Sequence, residues 1–214
     1  MIYVVTPYKG ADKPLQECIK SVERQTVESK HIIIEDVESK GACFNHFEAL
    51  KGIPESTENI VVHLDGDDML LEDTALERIL KAYRDPSCWV TYGNYVSRLP
   101  SVCKPINPSI SFRDSIIRGG WCWSHLRTFR ANTKHLLLEK DMKDSSGNWY
   151  TSAPDVAIFL PILEMAGKSR VRFIDEDLVY YRHHPANEAS TQKGLQDQVR
   201  CAMDIYQKPS YTLQ

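Results

Sequence analysis

What most constrains the fold is a repeated order of short apolar runs and amphipathic stretches in the N-terminal part of the chain. Ile2–Thr6 is apolar and stops at Pro7, which suits a buried strand running into a loop. In Pro14–Thr26 the spacing of Leu15, Cys18, Ile19 and Val22 predicts a helix with one apolar face. The order then recurs. His31–Glu35 is a second apolar run, followed by ESKGACFNHFEALKG with Ala42, Phe47 and Leu50 compatible with one helical face. Ile60–Leu64 is a third, followed by Leu71–Tyr83 with Leu76, Ile79 and Leu80 on its apolar side. Such alternation predicts an α/β architecture with largely parallel strands. Cys88–Tyr92 reads as one more strand. Further on, WCWSHLRTFRANTKHLL reads as a loop entering a helix and SAPDVAIFLPILEMAG as a helix in which Pro161 predicts a kink or an early end. SRVRFIDEDLVYYRHH reads as strand pieces and Leu195–Tyr206 as a helix.

A chain of 214 residues is expected to form a single domain, 1–214, with a core large enough to need no disulfides. No run of eighteen apolar residues occurs, so no membrane span is expected, and MIYVVTPYKG lacks the basic start and cleavage site of a secretory leader. The six cysteines show no C-x-x-C pair, which predicts free thiols in a reducing, cytoplasmic compartment. A net charge of −3 argues against nonspecific nucleic-acid binding, and the stretch bearing Arg113, Arg118, Arg127, Arg130, Lys134 and Lys140 reads as a solvated mixed face.

Residues 61–70, VVHLDGDDML, place Asp65, Asp67 and Asp68 directly after a predicted core strand. Ligands of α/β sheets collect at such strand ends. Crowded carboxylates disfavour one another's ionised forms unless a cation or strong donors compensate them. Mg2+ or Mn2+ takes oxygen ligands and is often held by one or two protein carboxylates together with phosphate oxygens, so an Asp-x-Asp here suits a nucleotide diphosphate. Capping the next helix is the simpler role for Asp, but it needs one carboxylate rather than three.

Three segments carry a family resemblance. VVTPYKGADKPLQECIKSVERQT, with Ser21, Gln25 and Thr26 at recurrent positions, IIIEDVESKGACFN and LDGDDML together resemble the nucleotide-sugar-dependent family 2 glycosyltransferases, keeping their order and spacing. The resemblance implies a GT-A type nucleotide-diphospho-sugar transferase fold, with a central mostly parallel sheet flanked by helices. It implies a nucleotide-sugar-binding half at 1–95 and an acceptor-binding and catalytic half at 96–214. Thr6, Pro7 and Tyr8 are then expected to line the nucleotide pocket, Asp36 to accept from the base, Asp65 to meet the ribose or the metal, Asp67 to be the principal ligand of Mn2+ or Mg2+, and Asp68 to support the metal shell or an adjacent basic residue. EDVESKG departs from the family pattern at Val37, where a second Asp is frequent.

The C-terminal half resembles the family more loosely. Asp155, in GNWYTSAPDVAIFLPILEMAG, is implied as the base that deprotonates the acceptor hydroxyl in an inverting transfer. VYYRHHPANEAST resembles the segment that closes over the diphosphate, so Arg182 is expected at the phosphates and His183 or His184 at the metal. GGWCWSHLRTFRANTKHL resembles an acceptor-facing stretch, with Trp123 and His125 lining the site and Arg127 near an acceptor or phosphate.

The expected activity is transfer of a sugar, foremost from a UDP sugar, to an acceptor that is a glycan, a small molecule, a protein or a modified nucleobase. The alternatives are a nucleotide- or sugar-binding module without turnover and a sugar nucleotidyltransferase. TPYKGADK after the first strand supplies neither a Gly-rich dinucleotide fingerprint nor a P-loop.

Overall fold

The computed structural model describes residues 1–10, 13–101, 103–184 and 190–211. The first half follows the predicted alternation. Strand β1 (Ile2–Tyr8) leads to helix α1 (Lys13–Glu23), β2 (Ser29–Glu35) to α2 (Ala42–Lys51), and β3 (Ile60–His63) through the two-residue β4 (Met69–Leu70) to α3 (Ala75–Tyr83). β5 (Val90–Val96), α4 (Phe112–Gly119), β6 (Arg127–Arg130), α5 (Pro154–Ala166), β7 (Val171–Tyr180) and α6 (Gln192–Gln207) complete the order.

All seven strands join one sheet in the order β2-β1-β3-β6-β5-β7-β4. β1 runs parallel to β2 and β3, and β5 parallel to β7, whereas β3–β6, β5–β6 and β4–β7 are antiparallel. The expected GT-A type fold on a central mostly parallel sheet is corrected by these pairings: the sheet is mixed, with as many antiparallel as parallel neighbours. The physical reason lies in β6. Although α4 precedes it, β6 inserts antiparallel between β3 and β5, in a segment whose pattern suggests a loop entering a helix. Two short 3-10 segments, Ala131–Leu136 and Glu139–Met142, follow it before α5.

Alternation along the central strands sends side chains to both faces. Ile2 and Val4 of β1 and Ile60 and Val62 of β3 join Cys18, Val22, Leu76 and Ile79 in one core under α1 and α3. Tyr3, Val5 and Val61 face the other way, into a larger core with Cys43, Leu50, Phe129 and most of α5. Helix α5 buries Val156 to Leu163 without interruption and runs through Pro161 to Ala166, so the expected early boundary is not observed. Close packing on every side holds this helix where proline removes one backbone donor.

Two further placements differ from expectation. Arg130 is buried and donates to the carbonyls of Cys88, Thr57, Tyr83 and Asp85, and Arg127 is buried as well, so this part of the basic stretch is not a solvated face. Arg113 pairs through Nε with Glu164 at 2.6 Å and donates to the carbonyls of Tyr206 and Lys208, tying α4 to α5 and to the end of α6. All six cysteines are free thiols, and among the described residues no helix is long and apolar enough to cross a membrane.

The positions picked out in α1 turn out to brace the acidic turn from behind. Ser21 Oγ donates to the Cys18 carbonyl and accepts the Leu70 N–H at 3.0 Å. Gln25 donates to the Glu72 carbonyl and accepts the Leu76 N–H, and the Thr26 N–H reaches the Asp73 carbonyl at 2.8 Å. Ser21 is 1% exposed, so Ser21→Ala strands the buried Leu70 amide, a loss of about 1–3 kcal/mol. Urea unfolding should show a lower midpoint at unchanged slope for this variant.

Candidate active site

β3 ends at His63, and Leu64 continues it with an N–H to the Val5 carbonyl before the chain turns at Asp65–Asp68, closed by Asp68 N–H to Asp65 O at 3.0 Å. Gly66 lets this turn lie against the end of β1. A Cβ there would come within 2.8 Å of Tyr8 Cβ and 3.1 Å of the Pro7 carbonyl. The turn and the end of β1 thus form one wall of a cavity of about 710 Å³, whose lining includes Pro7, Tyr8, Asp36, Asn45, Asp65, Asp67, Tyr95, His125, Arg127, Asp155, Tyr181 and His184.

Asp68 is fully buried. Its Oδ1 accepts the Arg182 N–H at 3.0 Å, while Oδ2 has no hydrogen-bond partner among the described residues and lies 3.7 Å from His125 Nδ1, also without one. Burial, then the charges of Asp65 and Asp67, push the Asp68 carboxyl well above its ordinary range. Burial and Asp65 raise Asp67, whose Oδ2 lies 2.9 Å from His184 Nε2. Burial opposes the ionised form of Asp65 too, but Arg127 outweighs it, with Nη2 at 3.2 Å, and holds this carboxylate below its ordinary range. Burial and Arg127 push His125 down to about 3, which favours a neutral imidazole beside these carboxylates.

Asp65, Asp68 and His125 each offer one ligand atom within 4.8 Å of the others. Two hard oxygens and one imidazole nitrogen, with two of those atoms buried and unpartnered, fit a divalent cation such as Mn2+ or Mg2+. Two members of this set, Asp65 and Asp68, come from the acidic turn, and the third, His125, comes from the stretch expected to face the acceptor. Asp67 lies beside the cluster, paired with His184, and the ring of His183 meets Tyr181 edge-on at 4.8 Å and is not on the cavity wall.

The remaining candidates divide. Pro7, Tyr8, Asp36, His125 and Asp155 line the cavity. The Asp36 carboxylate also accepts the Gly41 N–H at 3.2 Å, steadying the loop before α2. Thr6 is fully buried behind the wall, with Oγ1 2.9 Å from His31 Nε2. Arg182 points its Nε at the Asp67 carbonyl and its guanidinium at Glu17. Trp123, expected on the acceptor side, is 1% exposed and packs in the core, its ring edge-on to those of Phe112 and Trp121. Residues 185–189 of the closing segment lie outside the described residues.

Asp155 opens α5, preceded by Ala153 in the left-handed region at φ 54° and by Pro154 at the first helical position. Burial raises its carboxyl above the ordinary range even though Arg127 Nη1, 3.7 Å away, opposes the rise. Tyr95 and Tyr181, which the sequence reading did not single out, flank His125 at ring separations of 5.5 and 4.9 Å. No local pattern marks them, since they come from the ends of β5 and β7, far apart in the chain.

No protein-family model matches the sequence, and neither does any curated protein. Solved structures do match in fold. Residues 1–349 of Staphylococcus aureus TarS in complex with UDP-GlcNAc superpose with a TM-score of 0.62 at 15% identity over 98% of this chain and 68% of that one. A longer TarS structure gives 0.56 at 15% identity over 86% and 37%. Glucosyl-3-phosphoglycerate synthase from Mycobacterium tuberculosis, in complex with Mn2+, UDP and phosphoglyceric acid, gives 0.60 at 11% identity over 98% and 79%. The chain thus spans between 37% and 68% of the TarS chains it matches. At such identities the likeness is one of fold. The GT-A fold implied by the motifs is corrected by the mixed sheet.

Replacing the buried Asp68 by its neutral isostere keeps an acceptor for the Arg182 N–H and removes one crowded charge. Asp68→Asn should therefore raise the melting temperature of metal-free protein by several degrees, given that roughly 1 kcal/mol moves a chain of this size by about 2–4 °C. The same variant should lose the further rise that Mn2+ gives the wild type in a thermal-shift assay.

Proposed function

We propose that this chain is a metal-dependent glycosyltransferase that moves a sugar from a nucleotide diphosphate sugar, foremost a UDP sugar, to an acceptor hydroxyl with inversion at the anomeric carbon. The observation that carries the reading is a single cavity lined by Asp65, His125, Arg127 and Asp155, with the buried Asp68 beside its wall: Asp65, Asp68 and His125 form a divalent-cation donor set, and Arg127 reaches both Asp65 and the separate carboxylate Asp155. The fold likeness to proteins solved with UDP-GlcNAc, or with Mn2+ and UDP, supports it.

Asp65, Asp68 and His125 would hold a divalent cation, whose positive charge would stabilise the leaving diphosphate. The rest falls to the chain. Pro7, Tyr8 and Asp36, from the ends of β1 and β2, receive the nucleoside, and Asp65 serves the ribose side. His184, on the cavity wall after β7, faces the diphosphate, while Arg182, bound to the Asp67 carbonyl and Glu17, holds the acidic turn in place. Asp155 takes the proton of the acceptor hydroxyl as its oxygen bonds to the anomeric carbon, while the bond from that carbon to the phosphate oxygen breaks and its electron pair leaves with the diphosphate. A carboxylate whose proton affinity is raised by burial suits that role. Residues 1–95 form the donor half and 96–214 the acceptor half. The acceptor is a glycan, small molecule, protein or modified nucleobase, and the six free thiols support a cytoplasmic setting.

The test pairs wild type with Asp155→Asn across UDP, GDP and dTDP sugars and acceptor panels with Mn2+, following nucleotide release and product stereochemistry. Wild type should release nucleotide from one donor, and Asp155→Asn at saturating Mn2+ should bind that donor equally well while losing about 10²–10⁴-fold in transfer. Donor binding with no turnover across the panel favours a binding module. Pyrophosphate release from a nucleoside triphosphate and a sugar phosphate favours a nucleotidyltransferase.

A further inference from the structure

Arg127 is the buried cation between two separate groups of acids. Its side chain is 5% exposed; Nη2 stands 3.2 Å from Asp65 Oδ2 and Nη1 3.7 Å from Asp155 Oδ2. Its Nε has no hydrogen-bond partner among the described residues, so its polar contacts run forward, toward those two carboxylates. The backbone is fixed by β6, where Arg127 pairs with His63 in the middle of the sheet, so the guanidinium cannot follow one carboxylate far without leaving the other. One of the two, Asp65, belongs to the cation donor set. The other opens α5.

We infer that Arg127 is a positioning residue shared between Asp65 and Asp155, through which occupation of the cation site is coupled to the placement of Asp155. With the cation site empty, Asp65 and Asp155 compete for one guanidinium. A cation on Asp65 weakens that carboxylate's hold, and Arg127 turns fully to Asp155, fixing its orientation at the mouth of α5. Because coupling free energies are reciprocal, Asp155 in turn helps the cation bind by drawing Arg127 away from Asp65. The inference rests on the proposed function only for what Asp155 does; the coupling itself is a property of three side chains.

The experiment measures Mn2+ affinity by titration calorimetry for wild type, Arg127→Met, Asp155→Asn and the double variant, alongside transfer kinetics. Arg127→Met removes a competing positive charge from Asp65 and should tighten Mn2+ binding about tenfold or more. The same variant should lower kcat for transfer about 100-fold with donor KM little changed, because Asp155 is no longer held in line. A merely structural arginine would weaken both together. Asp155→Asn should weaken Mn2+ binding in the wild-type background and much less in the Arg127→Met background, the signature of a shared partner. Arg127→Lys covers the event that Met prevents folding: it keeps the charge, so Mn2+ affinity should stay near wild type, while one ammonium cannot address two carboxylates and transfer should fall roughly tenfold. Parallel loss of Mn2+ binding and transfer in Arg127→Met, or equal effects of Asp155→Asn in both backgrounds, overturns the inference. If the wild type transfers no sugar, the functional reading falls, and the Mn2+ cycle alone decides the role of Arg127.

Discussion

The site depends on how the chain tolerates three carboxylates within one tight turn. Asp65, Asp67 and Asp68 repel one another, and burial makes the repulsion worse by removing the water that would screen it. Each is handled by a different partner from a different part of the fold. Arg127 takes Asp65, His184 takes Asp67, and the backbone amide of Arg182 takes one oxygen of Asp68. What is left over is one oxygen of Asp68 and one nitrogen of His125, both buried and unpartnered, next to Asp65. The chemistry of that donor set fits a divalent cation.

The sheet makes these partners available. A strand running antiparallel to β3 brings Arg127 beside His63, so the arginine emerges at the same end as the acidic turn. β7 ends beside β4, directly behind the turn, which delivers Arg182 and His184. The brace from α1, through Ser21 and Gln25, fixes the stretch after the turn from the opposite face. The turn is therefore held from two sides by hydrogen bonds and faces the cavity on a third.

The N-terminal elements were legible because each repeats its own periodicity. Val4 and Val62 alternate with Val5 and Val61 between two cores, and Leu76 and Ile79 lie at helical spacing on α3. The segment from Trp121 to Leu137 was not legible, since Arg127 to Arg130 is buried on both faces and so shows no alternation. Arg127 and Arg130 read as surface only because the acceptors that satisfy them, the carbonyls of Cys88, Tyr83 and Thr57 and the carboxylates of Asp65 and Asp155, are distant in the chain. Trp123 was misjudged for the same reason: an aromatic ring serves a core as readily as a binding wall.

The sequence by itself determined that strands would end in polar loops on one side of an α/β layer, and that the acids most in need of compensation would stand at one of those ends. Local periodicity and the mutual repulsion of neighbouring carboxylates are enough for that. Only the tertiary structure decided the antiparallel entry of β6, the pairing of Asp67 with His184, and the choice of Asp65, Asp68 and His125 as the compact donor set. Those outcomes depend on which distant residues the sheet brings within a few ångströms, and a buried charge is settled by its neighbours in space rather than by its neighbours in the chain.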